Sequence, residues 1–114
     1  MGDRNYTGIK MTDGKINGPG EVTYKDENGK KVKYTGHFKD GKKEGKGLLK
    51  FMDNGTFYFG DFKDDKYDGY GVFVEDNDNC YKGGWKGGVH HGKGELWKGK
   101  DYFKGEFVNG KPRE

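Results

Sequence analysis

The sequence has no alanine, no serine and no glutamine, one cysteine (Cys80) and two prolines in 114 residues. Each scarcity excludes something. A single cysteine cannot close an internal disulfide and suits a reducing compartment, and without serine there is no Ser nucleophile. Arginine occurs only as Arg4 and Arg113, so the residue best fitted to bidentate contact with guanine or phosphate is nearly missing, and nucleic acid is not expected as a partner. No apolar run reaches the length of a signal-peptide core or a membrane span. In Met1-Gly2-Asp3-Arg4-Asn5-Tyr6 a tyrosine stands where a myristoylation signal needs Ser or Thr. A cytoplasmic chain is the expectation. Hydrophobic residues make up only 29% of it, too little for an ordinary packed core.

What the chain has instead is 23 glycines and a set of aromatics at fixed places. Order from repetition therefore fits better than disorder. Tyr34-Thr35-Gly36-His37-Phe38 runs through Asp40-Gly41 to Gly45-Lys46-Gly47 and an apolar pair. The same skeleton returns at Tyr58-Phe59-Gly60-Asp61-Phe62 with Gly69-Tyr70-Gly71, and at Tyr81-Lys82-Gly83-Gly84-Trp85 with Gly92-Lys93-Gly94. It returns less completely at Tyr6-Thr7-Gly8 with Gly18-Pro19-Gly20, and as a half unit over 103–111. A period in the low twenties means a repeat array. One domain over 1–114 is expected, with units at about 6–33, 34–57, 58–80, 81–102 and 103–111.

These residues resemble the MORN repeat family (membrane occupation and recognition nexus), whose unit is a β-hairpin of this Tyr-x-Gly-x-aromatic and Gly-x-Gly form. The resemblance covers Tyr6 to about Lys111. It implies an all-β fold, an elongated single antiparallel sheet of about four and a half hairpins, and no reaction. Turn signals then set nine strands, among them Lys31–Lys39, Gly45–Met52, Thr56–Lys63, Tyr70–Glu75, Asn79–Lys86, Gly94–Lys98 and Asp101–Val108. At the usual interstrand spacing the ribbon is on the order of 40 Å long.

Period-2 alternation assigns two faces. Face one carries the residues that every unit repeats: Tyr34, Phe38, Tyr58, Phe62, Tyr81 and Trp85, over glycines that let each ring lie across a neighbouring backbone. That packing stands in for a core, and the same aromatic row is a candidate groove for a partner peptide or helix. Face two carries residues the repeat does not require. Phe59, Tyr70, Val72 and Val74 should project there from the central unit, flanked by Leu48 and Trp97. An exposed apolar patch of this kind usually marks an interface.

Other chemistry finds little support. His90 and His91 are neighbours that point apart, with no third ligand in the pattern, and His91 stands where other units have Asn17, Glu44 and Asp68, so a turn role is expected and no metal. Asp76-Asn77-Asp78-Asn79 lacks the glycine and glutamate of a calcium loop. No Gly-rich phosphate cradle occurs, so no cofactor is expected, and no paired nucleophile and base points to an enzyme. The expectation is a non-catalytic scaffold for protein partners. With open strand edges it would also suit a homodimer or an edge-to-edge assembly. The family resemblance implies settings such as the cytoskeleton, cilia or membrane contacts. A second reading has Lys-rich turns bind anionic phospholipid. The 22 basic and 19 acidic residues, interspersed along the chain, count against it.

Overall fold

The computed structural model describes residues 5–7, 10–12 and 15–113, with side chains from Asn17 to Arg113. The described residues contain eleven strands and no helix: β1 (Asn5–Thr7), β2 (Lys10–Thr12), β3 (Lys15–Lys25), β4 (Lys31–Lys39), β5 (Lys42–Phe51), β6 (Phe57–Lys63), β7 (Lys66–Asp76), β8 (Asn79–Lys86), β9 (Val89–Lys98), β10 (Asp101–Val108) and β11 (Lys111–Pro112). They form one antiparallel sheet in the order β1-β3-β4-β5-β6-β7-β8-β9-β10-β11, with β2 also paired to β3. Its extents are 47 × 26 × 20 Å, which matches the elongated ribbon read from the repeats. The side chain of Tyr6, expected on face one, and the turn at Asp13-Gly14 lie outside the described residues.

Two-residue turns close the hairpins β4–β5, β6–β7, β8–β9 and β10–β11, with Lys39 opposite Lys42 and Val108 opposite Lys111. Their central residues take positive φ, as at Asp40 (50°) with Gly41 (83°) and Asn109 (50°) with Gly110 (86°). This is the geometry that matches strand twist and favours Asp-Gly and Asn-Gly.

The returning strands begin earlier than the sequence suggested, at Lys42, Lys66 and Val89 instead of Gly45, Tyr70 and Gly94. The glycine-rich stretch reads as a turn, yet the chain has already paired before it: Phe38 faces Lys43, Phe62 faces Tyr67 and Trp85 faces His90. An irregularity follows each of these pairs, with positive φ at Gly45 (77°) and Gly92 (85°), before glycine meets glycine at Gly36–Gly47 and Gly83–Gly94.

Face one is sealed by a ladder of rings. Phe38, Tyr34, Phe62, Tyr58, Trp85, Tyr81 and Phe107 meet edge to face in that order, with centroids 5.0 to 5.3 Å apart. Each tyrosine thus touches the aromatic of its own unit and that of the next. Such contacts favour the offset charge distribution of the rings and carry the coupling between repeats. The glycines make room for them. A Cβ at Gly36 would stand 2.6 Å from both Gly47 Cα and Tyr34 Oη, and one at Gly71 would enter the ring of Tyr58. The phenols then donate to a carbonyl three residues on: Tyr34 to His37 (2.8 Å), Tyr58 to Asp61 (2.7 Å) and Tyr81 to Gly84 (2.8 Å). Burial pushes the Tyr81 phenol up to about 12, so it stays a donor at neutral pH.

The position five residues after the second aromatic binds the units together. The Tyr67 ring stacks on Tyr58 at 3.9 Å, His90 stacks on Tyr81 at 3.7 Å, and the Lys43 ammonium lies 5.5 Å from the Tyr34 ring centre. The carbonyls of these three residues accept amides from the next unit's turn, those of Asp65 (to Lys43), Gly88 (to Tyr67) and Gly110 (to His90). Asn17, Glu44 and Asp68 do the same with their side chains, accepting from the amides of Asp40, Asp64 and Gly87. These ties run between units about twenty residues apart, so no hairpin depends on its own turn alone.

Candidate functional site

The six repeat aromatics expected on face one as partner-binding residues are corrected by burial. Tyr34 and Tyr58 are 0% exposed, and Phe38, Phe62, Tyr81 and Trp85 no more than 7%. Their rings are spent on one another and on the glycine backbone, and Trp85 Nε1 also donates to the Gly71 carbonyl (3.1 Å). A depression of about 440 Å³ near the strand ends is lined by Phe73, His90 and Leu96 together with Tyr81, Cys80 and Trp97.

Face two is different. Its side chains line up across the strands in two rows fixed by register. In the first, Glu21, Thr35, Leu48, Phe59, Val72, Lys82, Glu95 and Lys104 are successive cross-strand neighbours from β3 to β10. In the second, Thr23, Lys33, Lys50, Phe57, Val74, Cys80, Trp97 and Tyr102 follow one another in the same way. The middle of both rows is apolar. Leu48, Phe59 and Val72 sit beside Phe57, Val74, Cys80, Trp97 and Tyr102, so one block spans β5 to β10. Tyr70 adjoins it one step further along β7.

This block brings together the residues that the sequence placed on face two: Leu48, Phe59, Tyr70, Val72, Val74 and Trp97. Phe59 and Tyr70 are 53% and 51% exposed. Leu48, Val72, Val74 and Trp97 are half-buried. Sequence reasoning missed three members: Phe57, Cys80 and Tyr102, the last 53% exposed. Their signal was available, because each lies an even number of residues from an assigned face-two position in its own strand.

Charge surrounds the block. Lys33 pairs with Glu21 (2.6 Å) and Lys46 with Asp61 (2.9 Å). Burial by itself would raise the Asp61 carboxyl, but the Lys46 ammonium and the Tyr70 amide together bring it below its ordinary value. Glu95 accepts from the Tyr102 hydroxyl (2.6 Å). Lys50, Lys82, Lys93 and Lys104 form no ion pair among the described residues. Three of them, Lys82, Lys93 and Lys104, line a depression of about 320 Å³ together with Glu95, Glu106 and Tyr70, over Gly83, Gly94 and Gly105.

Neither His90 nor Cys80 stands in a reactive setting. His90 packs between Tyr81, Trp85 and Phe107, and burial lowers its pKa. Burial raises the Cys80 thiol, away from the thiolate. The MORN repeat pattern matches residues 11–29, 34–56, 58–77, 81–100 and 103–113. The matched units coincide with the hairpins whose tyrosines and glycines form the ring ladder, and such repeats are in general protein or membrane interaction modules. Matched over most of its length, the chain belongs to the MORN repeat family.

Proposed function

We propose that this protein is a non-catalytic scaffold that presents face two to a protein partner, as a cytoplasmic subunit of a larger assembly of cytoskeletal or ciliary type. One observation carries this reading: large apolar side chains stand half exposed in a single cross-strand block, on the face that the repeat does not need for its own packing. Soluble domains seldom expose a contiguous apolar patch without using it. The carboxylates support the non-catalytic part, because many are engaged structurally. Asp65 accepts from the Lys43 amide (2.8 Å), Asp68 from Gly87 (3.0 Å) and Asp76 from Asp78 (2.9 Å).

The test is the pair Phe59→Lys and Val74→Lys in one chain. Circular dichroism and the melting temperature should stay close to wild type, while crosslinked capture of the native partner is lost. Loss of folding in step with capture would make the block internal packing and end the proposal.

The phospholipid reading rests on lysines beside the turns, such as Lys39, Lys42 and Lys63. The depression between those turns is lined equally by Asp40, Glu44 and Asp64, so the local field largely cancels. Flotation with anionic vesicles that persists at physiological salt would favour it.

A further inference from the structure

Resting on the face-two reading, we infer that the occupant of this face is an acidic amphipathic segment of another protein, lying along the ribbon axis. Three observations lead there.

The first is charge. The two rows and the depression beside them hold Lys50, Lys82, Lys93 and Lys104 without ion-pair partners among the described residues; Glu21 and Asp61 are already paired, and the carboxylates beside these four lysines are Glu95, held by Tyr102, and Glu106, opposite Lys93. Four lysines against two carboxylates leave a positive excess, which favours an occupant that brings carboxylates of its own. A second copy of this chain would set lysine against lysine, which penalises self-association through this face.

The second is shape. Adjacent strands rotate by about 20 to 25°, so from β5 to β10 the face turns by on the order of 100°. A planar bilayer touches only part of such a surface. A rod laid across the strands can follow the block from Leu48 to Tyr102. Five interstrand steps of about 4.8 Å give roughly 24 Å, the length of a helix of about 16 residues.

The third is surface chemistry. Leu48, Val72 and Val74 offer aliphatic contact beside the exposed rings of Phe59, Tyr70 and Tyr102, a mixture that suits the apolar side of a helix. The two exposed tyrosines also stand beside carboxylates: Asp61 accepts from the Tyr70 amide (2.9 Å) and Glu95 from the Tyr102 hydroxyl. Acidic groups of the occupant would be repelled there. The carboxylates of a peptide would instead fall to the lysine-lined depression over Gly83, Gly94 and Gly105, at the end of the apolar block.

The experiment is selection of randomised 18-residue peptides displayed on phage against the full-length protein, with depletion on the Phe59→Lys/Val74→Lys chain. Enriched peptides should carry apolar residues at helical spacing and an excess of Asp and Glu. A synthetic peptide of the enriched sequence should bind in a fluorescence anisotropy titration, weaken about tenfold or more on Lys82→Glu/Lys104→Glu, and weaken as salt rises. Enriched peptides that depend on Phe59 and Val74 but show no acidic excess, or are indifferent to the lysine changes, overturn the acidic partner and leave the face-two reading standing. If no peptide depends on Phe59 and Val74, both fall. Vesicles of phosphatidylserine and phosphatidylcholine are the parallel arm. Flotation lost on Lys82→Glu/Lys104→Glu, with no acidic peptide enriched, would assign the face to lipid and overturn the proposal.

Discussion

The two faces of this sheet are built by the same strands, residue by alternate residue, yet they solve opposite problems. Face one uses tyrosine over glycine, repeated until Phe38, Tyr34, Phe62, Tyr58, Trp85, Tyr81 and Phe107 form a continuous ladder of rings with almost no exposure. Face two leaves Phe59, Tyr70 and Tyr102 about half in water, with lysines around them. What distinguishes the faces is glycine. On face one the residues between the rings have no side chain, so a ring can lie flat on the backbone. On face two the two rows from Glu21 to Lys104 and from Thr23 to Tyr102 carry a side chain at each crossing, so Phe59 and Tyr102 stand up. A chain with few hydrophobic residues can therefore hold one face shut and keep the other available.

The largest expected effect comes from forcing face one to resemble face two. Gly71→Val puts a branched side chain into the ring of Tyr58, and neither the ring nor the paired strand can withdraw without breaking the ladder on both sides. We expect destabilisation on the order of 4 kcal/mol, enough to unfold a marginal array. The far-ultraviolet spectrum and a urea titration check this. A melt like wild type would remove the ring-over-glycine account.

A smaller effect comes from the hydroxyls. Tyr81→Phe deletes the bond to the Gly84 carbonyl (2.8 Å) and leaves the ring in place, so about 1 kcal/mol should be lost. The final unit supplies the reverse experiment, because Phe103 lies over Gly105 as the tyrosines lie over theirs. Phe103→Tyr should gain up to about 1 kcal/mol by donating to the carbonyl three residues on. Urea midpoints of the two variants moving in opposite directions would tie the hydroxyl, and not the ring alone, to the stability of a unit.

Much of this was legible in the sequence. Period and glycine spacing gave the sheet, its length, and the faces of Tyr34, Phe59 and their equivalents, because alternation is strict wherever strands pair without interruption. It failed at Lys43, Tyr67 and His90. There the stretch before Gly-x-Gly reads as a turn, so no strand was expected, and the three residue types share no hydropathy; parity counted back from Gly45, Gly69 and Gly92 would have put them on face one. The constant was their spacing, five after Phe38, Phe62 and Trp85. The ring row was read both as the packing that replaces a core and as a candidate groove, since periodicity shows that a residue is needed and not whether water reaches it. Alternation places Lys82, Lys93 and Lys104 on face two as well, but only register gathers them, with Glu95 and Glu106, around one depression.

His90 offers a gentler probe of face one. It stacks on Tyr81 as Tyr67 stacks on Tyr58, and burial lowers its pKa below the ordinary 6.5. In the unfolded chain the imidazole takes up a proton near its ordinary value, whereas the folded chain resists until lower pH. Stability contributed by the neutral ring is present above pH 6.5 and declines as pH falls from there toward the depressed folded value. His90→Tyr should flatten the melting temperature between pH 7.5 and 5.5, since the stacking partner no longer titrates. An unchanged slope in that window would mean the imidazole is not protected by the stack.

The smallest expected effect belongs to face two, and it completes the contrast. Phe59→Ser and Val72→Thr remove apolar surface from a pair of cross-strand neighbours, one of them 53% exposed. If the block exists for contact with another molecule, the folded chain gains little from it when alone. Phe59→Ser should then cost within about 0.5 kcal/mol, as surface changes away from special features do, with Val72→Thr somewhat more because that side chain is half-buried. The matching truncation on the opposite face, Tyr58→Ala, removes a fully buried ring and should cost about 3 to 5 kcal/mol. The ratio between these two neighbours in one strand is the discriminating quantity. A Phe59→Ser loss approaching that of Tyr58→Ala in the same urea titration would mean that face two is packed in the free protein, and that the division of labour between the faces is wrong.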